Sequence, residues 1–326
     1  MKEIVIMENE AGQRLDKMLA KYLSAAPKSF IYKMLRKKNI TLNGKKAAGN
    51  EQLEKKDRIK LFLSDETIAK FSPGQKIVYT EDVLDIIYED SNILLINKPA
   101  GMLSQKAKEE DISVVEHVIS YLLKSGQLTK TELATFRPSI VNRLDRNTSG
   151  LIAAGKSLAG LQEMSAFFKD RTIAKYYLCL VAGEVKKSAS VQGFLQKDVR
   201  TNQVKITDSV SVPDGDALRI ETEYRPLKSN GKITLLEVHL ITGKTHQIRA
   251  HLASMGHPVI GDYKYGIREV NDPYKKAYGL KSQLLHAYRI KMPSNNGKLA
   301  YLSDREFKAQ VPPIFEKIAN DKGVWK

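Results

Sequence analysis

Asn142-Arg143-Leu144-Asp145-Arg146-Asn147-Thr148-Ser149-Gly150 runs directly into Leu151-Ile152-Ala153-Ala154. The first nine residues are mostly polar and end in a Thr-Ser-Gly turn, and the last four are apolar. The stretch therefore reads as a turn feeding a buried strand. An acid, Asp145, lies in that turn between Arg143 and Arg146. Flanking positive charge favours the ionised carboxylate that a nucleophile or a base needs. The same residues also suit an Asp that caps a turn and pairs with a surface arginine.

Working outward, the chain on both sides is rich in short strands. Ile86-Ile87-Tyr88 and Ile93-Leu94-Leu95-Ile96 are apolar runs separated by the polar turn Glu89-Asp90-Ser91-Asn92. Pro99 and Gly101 close the second run, because proline cannot donate to a ladder and glycine tolerates unusual dihedrals. Ser113 with Glu116 predicts a capping box before Val118, Tyr121 and Leu122. Leu158, Leu161, Ser165 and Phe168 predict another helix. Strands are predicted over 177–181, 204–206, 218–222 and 235–240, without the regular strand–helix alternation of a parallel doubly wound sheet. The fold class expected is α+β: a mixed, mainly antiparallel sheet flanked by helices, over residues 82–326.

Charge separates off the N-terminus. The 326 residues hold 53 Lys and Arg against 37 Asp and Glu, a net +16. A surplus of that size says nothing about fold and biases the partner towards polyanions. Residues 28–60 contain eleven of the cations and three acids, a surplus of eight in a tenth of the chain. Leu15, Met18, Leu19, Tyr22 and Leu23 have helical spacing. Pro27 suits the start of a second helix, with Ile31, Met34 and Leu35 inward and Lys33, Arg36 and Lys37 outward. Ile40 and Leu42 lead into Asn43-Gly44, a hairpin dipeptide, and Ile59, Leu61 and Leu63 close the unit. Residues 1–66 thus read as a small α/β module with a basic face suited to nucleic acid. Residues 67–81 read as a linker, with Ser72-Pro73-Gly74 as the breaker.

Several classes are excluded. No apolar run approaches the ~20 residues that cross a bilayer, and Met1 to Leu19 lacks an apolar signal core, so a cytoplasmic protein without membrane partners is expected. The one cysteine, Cys179, forms neither an internal disulfide nor a zinc knuckle.

Two further segments could carry chemistry. In Thr242-Gly243-Lys244-Thr245-His246-Gln247-Ile248-Arg249-Ala250-His251-Leu252, Thr245 is placed to cap a helix that turns Ile248 and Leu252 inward and stops at Gly256 and Pro258. His246 and His251 are five apart and miss the i, i+4 face of a zinc helix, so hydrogen bonding suits them better than a metal, with Arg249 as a fixed guanidinium for a carboxylate or phosphate. In Lys175-Tyr176-Tyr177-Leu178-Cys179-Leu180-Val181, Tyr177, Cys179 and Val181 share one strand face. Tyr177 is then either a core tyrosine or a platform for a flat ring.

Together these segments resemble the RluA-type family of RNA pseudouridine synthases. The family pattern H-R-L-D-x-x-T-S-G is matched by 142–150, G-R-T-H-Q-I-R-x-H by 243–251 and K-x-Y-x-A-x-V by 175–181. Asn97-Lys98-Pro99-Ala100-Gly101, the stretch from Gly256-His257-Pro258 through Gly261-Asp262 to Tyr265-Gly266, and Leu285-His286-Ala287 match further family stretches. Asn142, Asn147, Lys244 and Cys179 stand where the family commonly has His, Asp, Arg and Ala. The N-terminal part resembles an S-four-like RNA-binding module, and 27–37 is most like the RluC branch, which acts on large-subunit ribosomal RNA.

The resemblance implies a cofactor-free, metal-free isomerisation of uridine on a flipped-out nucleotide. Asp145 is implied as the essential carboxylate and Arg249 as its partner. Tyr177 is implied to stack on the uracil and Arg143 to fill the gap left by the base. Lys98 and His246 are expected at phosphate or ribose, and Ile248 joins the substrate-contacting set. Lys28, Lys33, Arg36, Lys37, Lys38, Lys45 and Lys46 are expected on RNA phosphates, in a protein that acts as a monomer. A non-catalytic RNA-binding factor would not need Asp145, Tyr177 and Arg249 together. A retaining glycosidase wants two carboxylates ~5–5.5 Å apart, and the motifs offer one obvious acid.

Overall fold

A computed structural model describes residues 1–73, 77–81, 83–198, 203–207 and 217–325. The N-terminal part contains β1 (Lys2–Val5), α1 (Leu15–Tyr22), α2 (Lys28–Arg36), β2 (Ile40–Leu42), β3 (Lys45–Lys46) and β4 (Arg58–Leu61). Its strands form an antiparallel sheet in the order β1-β4-β2-β3. Asn43 and Gly44 make the β2–β3 turn with φ of 50° and 74°, the left-handed pair that the Asn-Gly dipeptide supplies. Leu15, Met18 and Leu19 of α1 and Ile31, Met34 and Leu35 of α2 close over Ile40, Ile59 and Leu61, all buried. The apolar stripe goes inward and the lysines stay in water, as the periodicity requires.

The stretch read as a linker is partly regular. Helix α3 (Asp65–Phe71), capped by Ser64 Oγ accepting from Thr67 N, follows β4, and its Ile68 and Phe71 pack on the N-terminal core. Sequence periodicity misses it because it is seven residues long with two apolar contacts. Gly74 of the expected breaker lies outside the described residues.

Among the described residues the rest of the chain builds a sheet of eleven strands. They are β5 (Ile86–Glu89), β6 (Ile93–Lys98), β7 (Ser139–Ile140), β8 (Ser149–Gly155), β9 (Ala174–Ala182), β10 (Ala189–Asp198), β11 (Gln203–Thr207), β12 (Leu218–Ser229), β13 (Ile233–Leu240), β14 (Leu285–Lys291) and β15 (Glu306–Lys308). The order is β11-β10-β12-β13-β9-β14-β8-β6-β5, with β15 on β14 and β7 on β8. All pairs are antiparallel except β8 with β14. Among the described residues six α-helices accompany the sheet: α4 (Val114–Lys124), α5 (Lys130–Leu133), α6 (Leu158–Lys169), α7 (Gln247–Ser254), α8 (Arg268–Tyr278) and α9 (Pro313–Asp321). The fold is α+β, with the mixed, mainly antiparallel sheet that the strand pattern implied.

Alternation along the central strands sorts the two faces. Tyr177, Cys179 and Val181 of β9 join Ile152 and Ala154 of β8 under α4 and α7. Leu178 and Leu180 face α9, through Phe315 and Ile318, and Leu151 and Ala153 face Met164 of α6. The capping box at Ser113 and Glu116 is present at the start of α4. A close approach fixes Gly150, where β8 begins beside β14: its φ is +114°, and an added Cβ would lie 2.2 Å from the Ala287 carbonyl oxygen. Only glycine allows the parallel pair to form at that height.

Candidate active site

The loop between β7 and β8 carries Asp145, and neighbouring segments hold it from several sides. Thr148 N donates to Asp145 O at 3.0 Å, closing the turn. Gln283 Nε2 donates to Thr148 Oγ1, and Ser149 Oγ meets Nδ1 of the buried His286 at 2.9 Å. Ser104 Oγ donates to Leu144 O at 2.7 Å, and Leu144 N donates back to the same oxygen. Asn142 hydrogen-bonds to β8 and not to the acid. Its amide donates to Leu151 O and accepts from Ala153 N, so it substitutes for a pairing strand along β8.

Lys98 departs from its expected role at phosphate or ribose. It is fully buried at the end of β6, and its Nζ donates to the carbonyls of Pro99, Met102 and Arg146 at 2.9, 2.9 and 3.0 Å. Burial pushes its pKa down to about 7 against the pull of Asp145. The side chain ties the 99–102 turn to the Asp145 loop, and Gly101 N reinforces the tie by donating to Arg146 O.

Helix α7 brings the guanidinium. Arg249 Nη1 donates to Asp145 Oδ2 at 2.8 Å, while Nε and Nη2 make a forked pair with Asp262 at 2.7 and 2.9 Å. The Arg249 and Asp262 side chains are 9% and 1% exposed and that of Asp145 is 26% exposed, so the Arg249–Asp262 pair is dry and the Asp145 end opens to solvent. Burial alone would raise the Asp262 pKa, but the Arg249 hydrogen bonds and charge bring it below the usual carboxylate value. Burial would likewise lower the Arg249 pKa, and the two carboxylates raise it instead. Asp262 is thus a member of the cluster to which the motifs gave no role, although Gly261-Asp262 was visible in them. Asp145 Oδ1 has no partner among the described residues.

Helix α7 starts at Gln247, and Thr245 does not cap it. His246, in the left-handed region with φ of 56°, precedes the first turn, and the Gln247 side chain accepts from Lys244 N at 3.1 Å and from Thr242 Oγ1 at 2.8 Å. The Tyr265 hydroxyl accepts from Val204 N and lies 2.8 Å from His246 Nδ1. The other ring nitrogen, Nε2, lies 3.8 Å from Asp145 Oδ2. Burial lowers the His246 pKa more than Asp145 raises it, so at neutral pH this approach is that of a neutral ring to a carboxylate.

Six of the expected residues meet in one cleft of about 1090 Å³: Arg143, Asp145, Tyr177, His246, Ile248 and Arg249. Tyr177 reaches it from β9 with 8% exposure, and burial followed by the Asp145 charge raises its pKa, keeping the phenol neutral. Ile248 provides an apolar wall, whereas Arg143 is exposed and unpaired among the described residues. Lys98 is not part of the lining. Lys28, Lys33, Arg36, Lys37, Lys38, Lys45 and Lys46 lie on α2, its C-terminal turn and the β2–β3 hairpin; all are exposed, and none has an ion pair among the described residues. His239, His251 and His257 turn to Glu223, Thr222 and Ala182 O. Among the described residues no cluster of His, Cys, Asp and Glu is arranged to hold a metal ion.

A family profile described as RNA pseudouridylate synthase matches residues 92–254. The ribosomal large subunit pseudouridine synthase C of Vibrio vulnificus is 32% identical over 294 residues, covering 88% of this chain and 86% of its own. That of Escherichia coli strain K12 is 31% identical over 89% of this chain and 88% of its own. The solved structure of human RNA pseudouridylate synthase domain containing 4 superposes with a TM-score of 0.61 at 21% identity, covering 74% of this chain and 94% of that one.

Proposed function

The chain belongs to the RNA pseudouridylate synthase family, and from that premise we propose that it isomerises uridines of large-subunit ribosomal RNA, with Asp145 as the reacting carboxylate. The enzyme is an isomerase that converts uridine in RNA to pseudouridine. The reaction breaks the N1–C1′ bond, turns the uracil over and joins C1′ to C5; the C5 proton is lost, N1 gains one, and no electron is transferred. A carboxylate at the ribose, a surface for the loosened base and a site that holds both are sufficient for it.

The observation that carries the assignment is the chain Asp145–Arg249–Asp262 at the floor of a basic cleft. Arg249 carries one positive charge between two carboxylates, and the buried Asp262 takes two of its donors. Asp145 is therefore oriented by one charge-assisted bond while keeping Oδ1 free. Attack on C1′ and abstraction of the C2′ proton both begin from that oxygen. Tyr177 provides the face on which the uracil stacks, Ile248 bounds it, and Arg143 stacks in the gap that eversion leaves. Eversion costs a few kcal/mol of pairing and stacking, and phosphate contacts offset it. His246 Nε2, 3.8 Å from Asp145 Oδ2, is within reach of a ribose oxygen at Asp145. The module 1–66 gives affinity and register through its seven exposed cations, because phosphate contacts carry little sequence information. The protein acts as a monomer in the cytoplasm; among the described residues no helix is long and apolar enough to cross a membrane.

The test maps pseudouridines by carbodiimide-blocked primer extension in ribosomal RNA from cells with and without the gene, and with Asp145→Asn. Wild type restores specific stops, whereas Asp145→Asn binds RNA and restores none. Stops at the wild-type level with Asp145→Asn would remove Asp145 from its role.

A further inference from the structure

The cleft is lined by eight Lys and Arg and, among the described residues, a single carboxylate, Asp145. Arg249 neutralises that acid, so the remaining charge awaits a partner. Part of it lies away from Asp145, where α6 ends and β9 begins. Lys169, Arg171 and Lys175 come from that turn, and Lys244 comes from the segment before α7. None of the four side chains has a hydrogen bond or an ion pair among the described residues.

Arg171 stands in an unfavourable backbone position. Helix α6 closes with Thr172 N donating to Phe167 O at 3.0 Å, the six-to-one bond of a Schellman turn, and Arg171 occupies the left-handed position of that turn with φ of 60°. Glycine is the residue that this position favours, because a Cβ is penalised there. A cation at a helix C-terminus also interacts with the helix dipole, but Lys169 in the last turn already supplies one. The arginine thus breaks a local rule with no gain to the helix, and such breaks concentrate at functional sites.

Lys175 gives a second, independent indication. It is half-buried, and a Cβ on Gly243 would lie 3.8 Å from its Nζ. The ammonium therefore rests against bare backbone beside Lys244. Burial and the Arg171 charge push its pKa down to about 8. A half-desolvated cation next to another cation, with no acidic partner among the described residues, is stabilised by an incoming anion.

We propose that Arg171 and Lys175, together with Lys244, clamp a backbone phosphate of a nucleotide next to the one being isomerised, an inference that rests on the RNA reading above. The clamp would hold the strand on the α6 side of the cleft while Arg143 and Tyr177 manage the everted base.

Full-length protein and an unmodified large-subunit ribosomal RNA transcript test it, with binding measured across a salt series and turnover across RNA concentration. Arg171→Gly should melt a few degrees higher than wild type, since it relieves the left-handed arginine. It should nevertheless bind RNA about ten-fold more weakly, with a salt slope shallower by about 0.7–0.9, one phosphate's worth. Lys175→Gln should lose the same slope and raise KM more than it lowers kcat, and Lys175→Arg should restore both. An unchanged salt slope in both Arg171→Gly and Lys175→Gln overturns the clamp. So does a Lys175→Gln loss confined to kcat, which would put Lys175 on the base. If wild type left the transcript's uridines unconverted while the slopes fell as stated, the clamp would stand and the isomerase assignment on that RNA would fall.

Discussion

Replacing Asp262 by asparagine separates holding Arg249 in place from tuning Asp145. The wild-type carboxylate takes two guanidinium donors at 2.7 and 2.9 Å and also accepts from the backbone N–H of Lys264 and Tyr265. Asparagine keeps one acceptor oxygen and turns an NH2 group against Arg249. Removing one partner of a buried ion pair costs about 3–5 kcal/mol. Asp145 still faces the same guanidinium, so the lower end applies, about 3 kcal/mol. At 2–4 °C per kcal/mol for domains of 150–250 residues, that corresponds to a melting temperature at least about 6 °C lower. The gap depends on pH with a definite sign. The folded-state pKa of Asp262 lies below its usual value, so its contribution is present above about pH 3.9 and lost as the pH falls through the folded value. The difference from Asp262→Asn is therefore full at pH 7 and closes in acid. Chemistry suffers too, because the whole Arg249 charge then falls on Asp145 and makes it a poorer nucleophile or base, which we expect to lower kcat on the order of ten-fold. The double variant Arg249→Met/Asp262→Leu should recover stability relative to either single variant, as apolar replacement of buried pairs does, without recovering turnover. Thermal unfolding and single-turnover kinetics read both quantities. Wild-type melting together with wild-type kcat in Asp262→Asn would refute the reasoning.

Other perturbations give equally definite outcomes. Gly150→Ala should lower stability by about 3 kcal/mol or more, by forcing a Cβ against the Ala287 carbonyl at positive φ, and should abolish turnover by parting β8 from β14; an unchanged denaturation midpoint would contradict it. Lys38, with φ of 59° in the Schellman turn after α2, offers a variant that removes charge without harming the fold. Lys38→Gly should gain up to about 1 kcal/mol in stability while the salt slope of RNA binding falls by about 0.7–0.9, and filter binding showing the wild-type slope would take Lys38 off the RNA. Lys98→Met should leave the Pro99 and Met102 carbonyls without a donor, Arg146 O keeping only Gly101 N, costing about 1–3 kcal/mol for each buried acceptor that stays unsatisfied. Turnover should fall more than RNA affinity does, whereas an equal loss of affinity would return Lys98 to the phosphate role.

Local features of the site were legible because local physics makes them. The turn feeding β8, the capping box at Ser113, the Asn43-Gly44 hairpin and the inward face of Tyr177 each follow from a few neighbouring residues. What the chain concealed was assembled across distance. Residues 145, 249 and 262 lie on three segments, and no spacing says that the middle one is shared by the outer two. Strand β14 escaped because Leu285-His286-Ala287 lacks alternation, as a central strand buried on both faces does. Helix α8 escaped because Pro273 interrupts it and Asn271 is its one buried residue. Lys98 shows how a charge is misassigned: a lysine before a Pro-Ala-Gly turn in a basic protein invites a phosphate, yet the turn's own carbonyls face back onto it. Arg171 shows the converse. Its cost lies in a backbone angle that sequence does not print, and once that angle is known, a residue with no visible signal becomes the one whose presence most requires a partner. The same left-handed backbone recurs at Lys38, Lys56 and His246; Lys38 and His246 are among the residues proposed to meet RNA, and Lys56 is not. Left-handed geometry therefore does not by itself mark an RNA contact, and replacing Arg171 or Lys38 by glycine separates RNA binding from stability in one step.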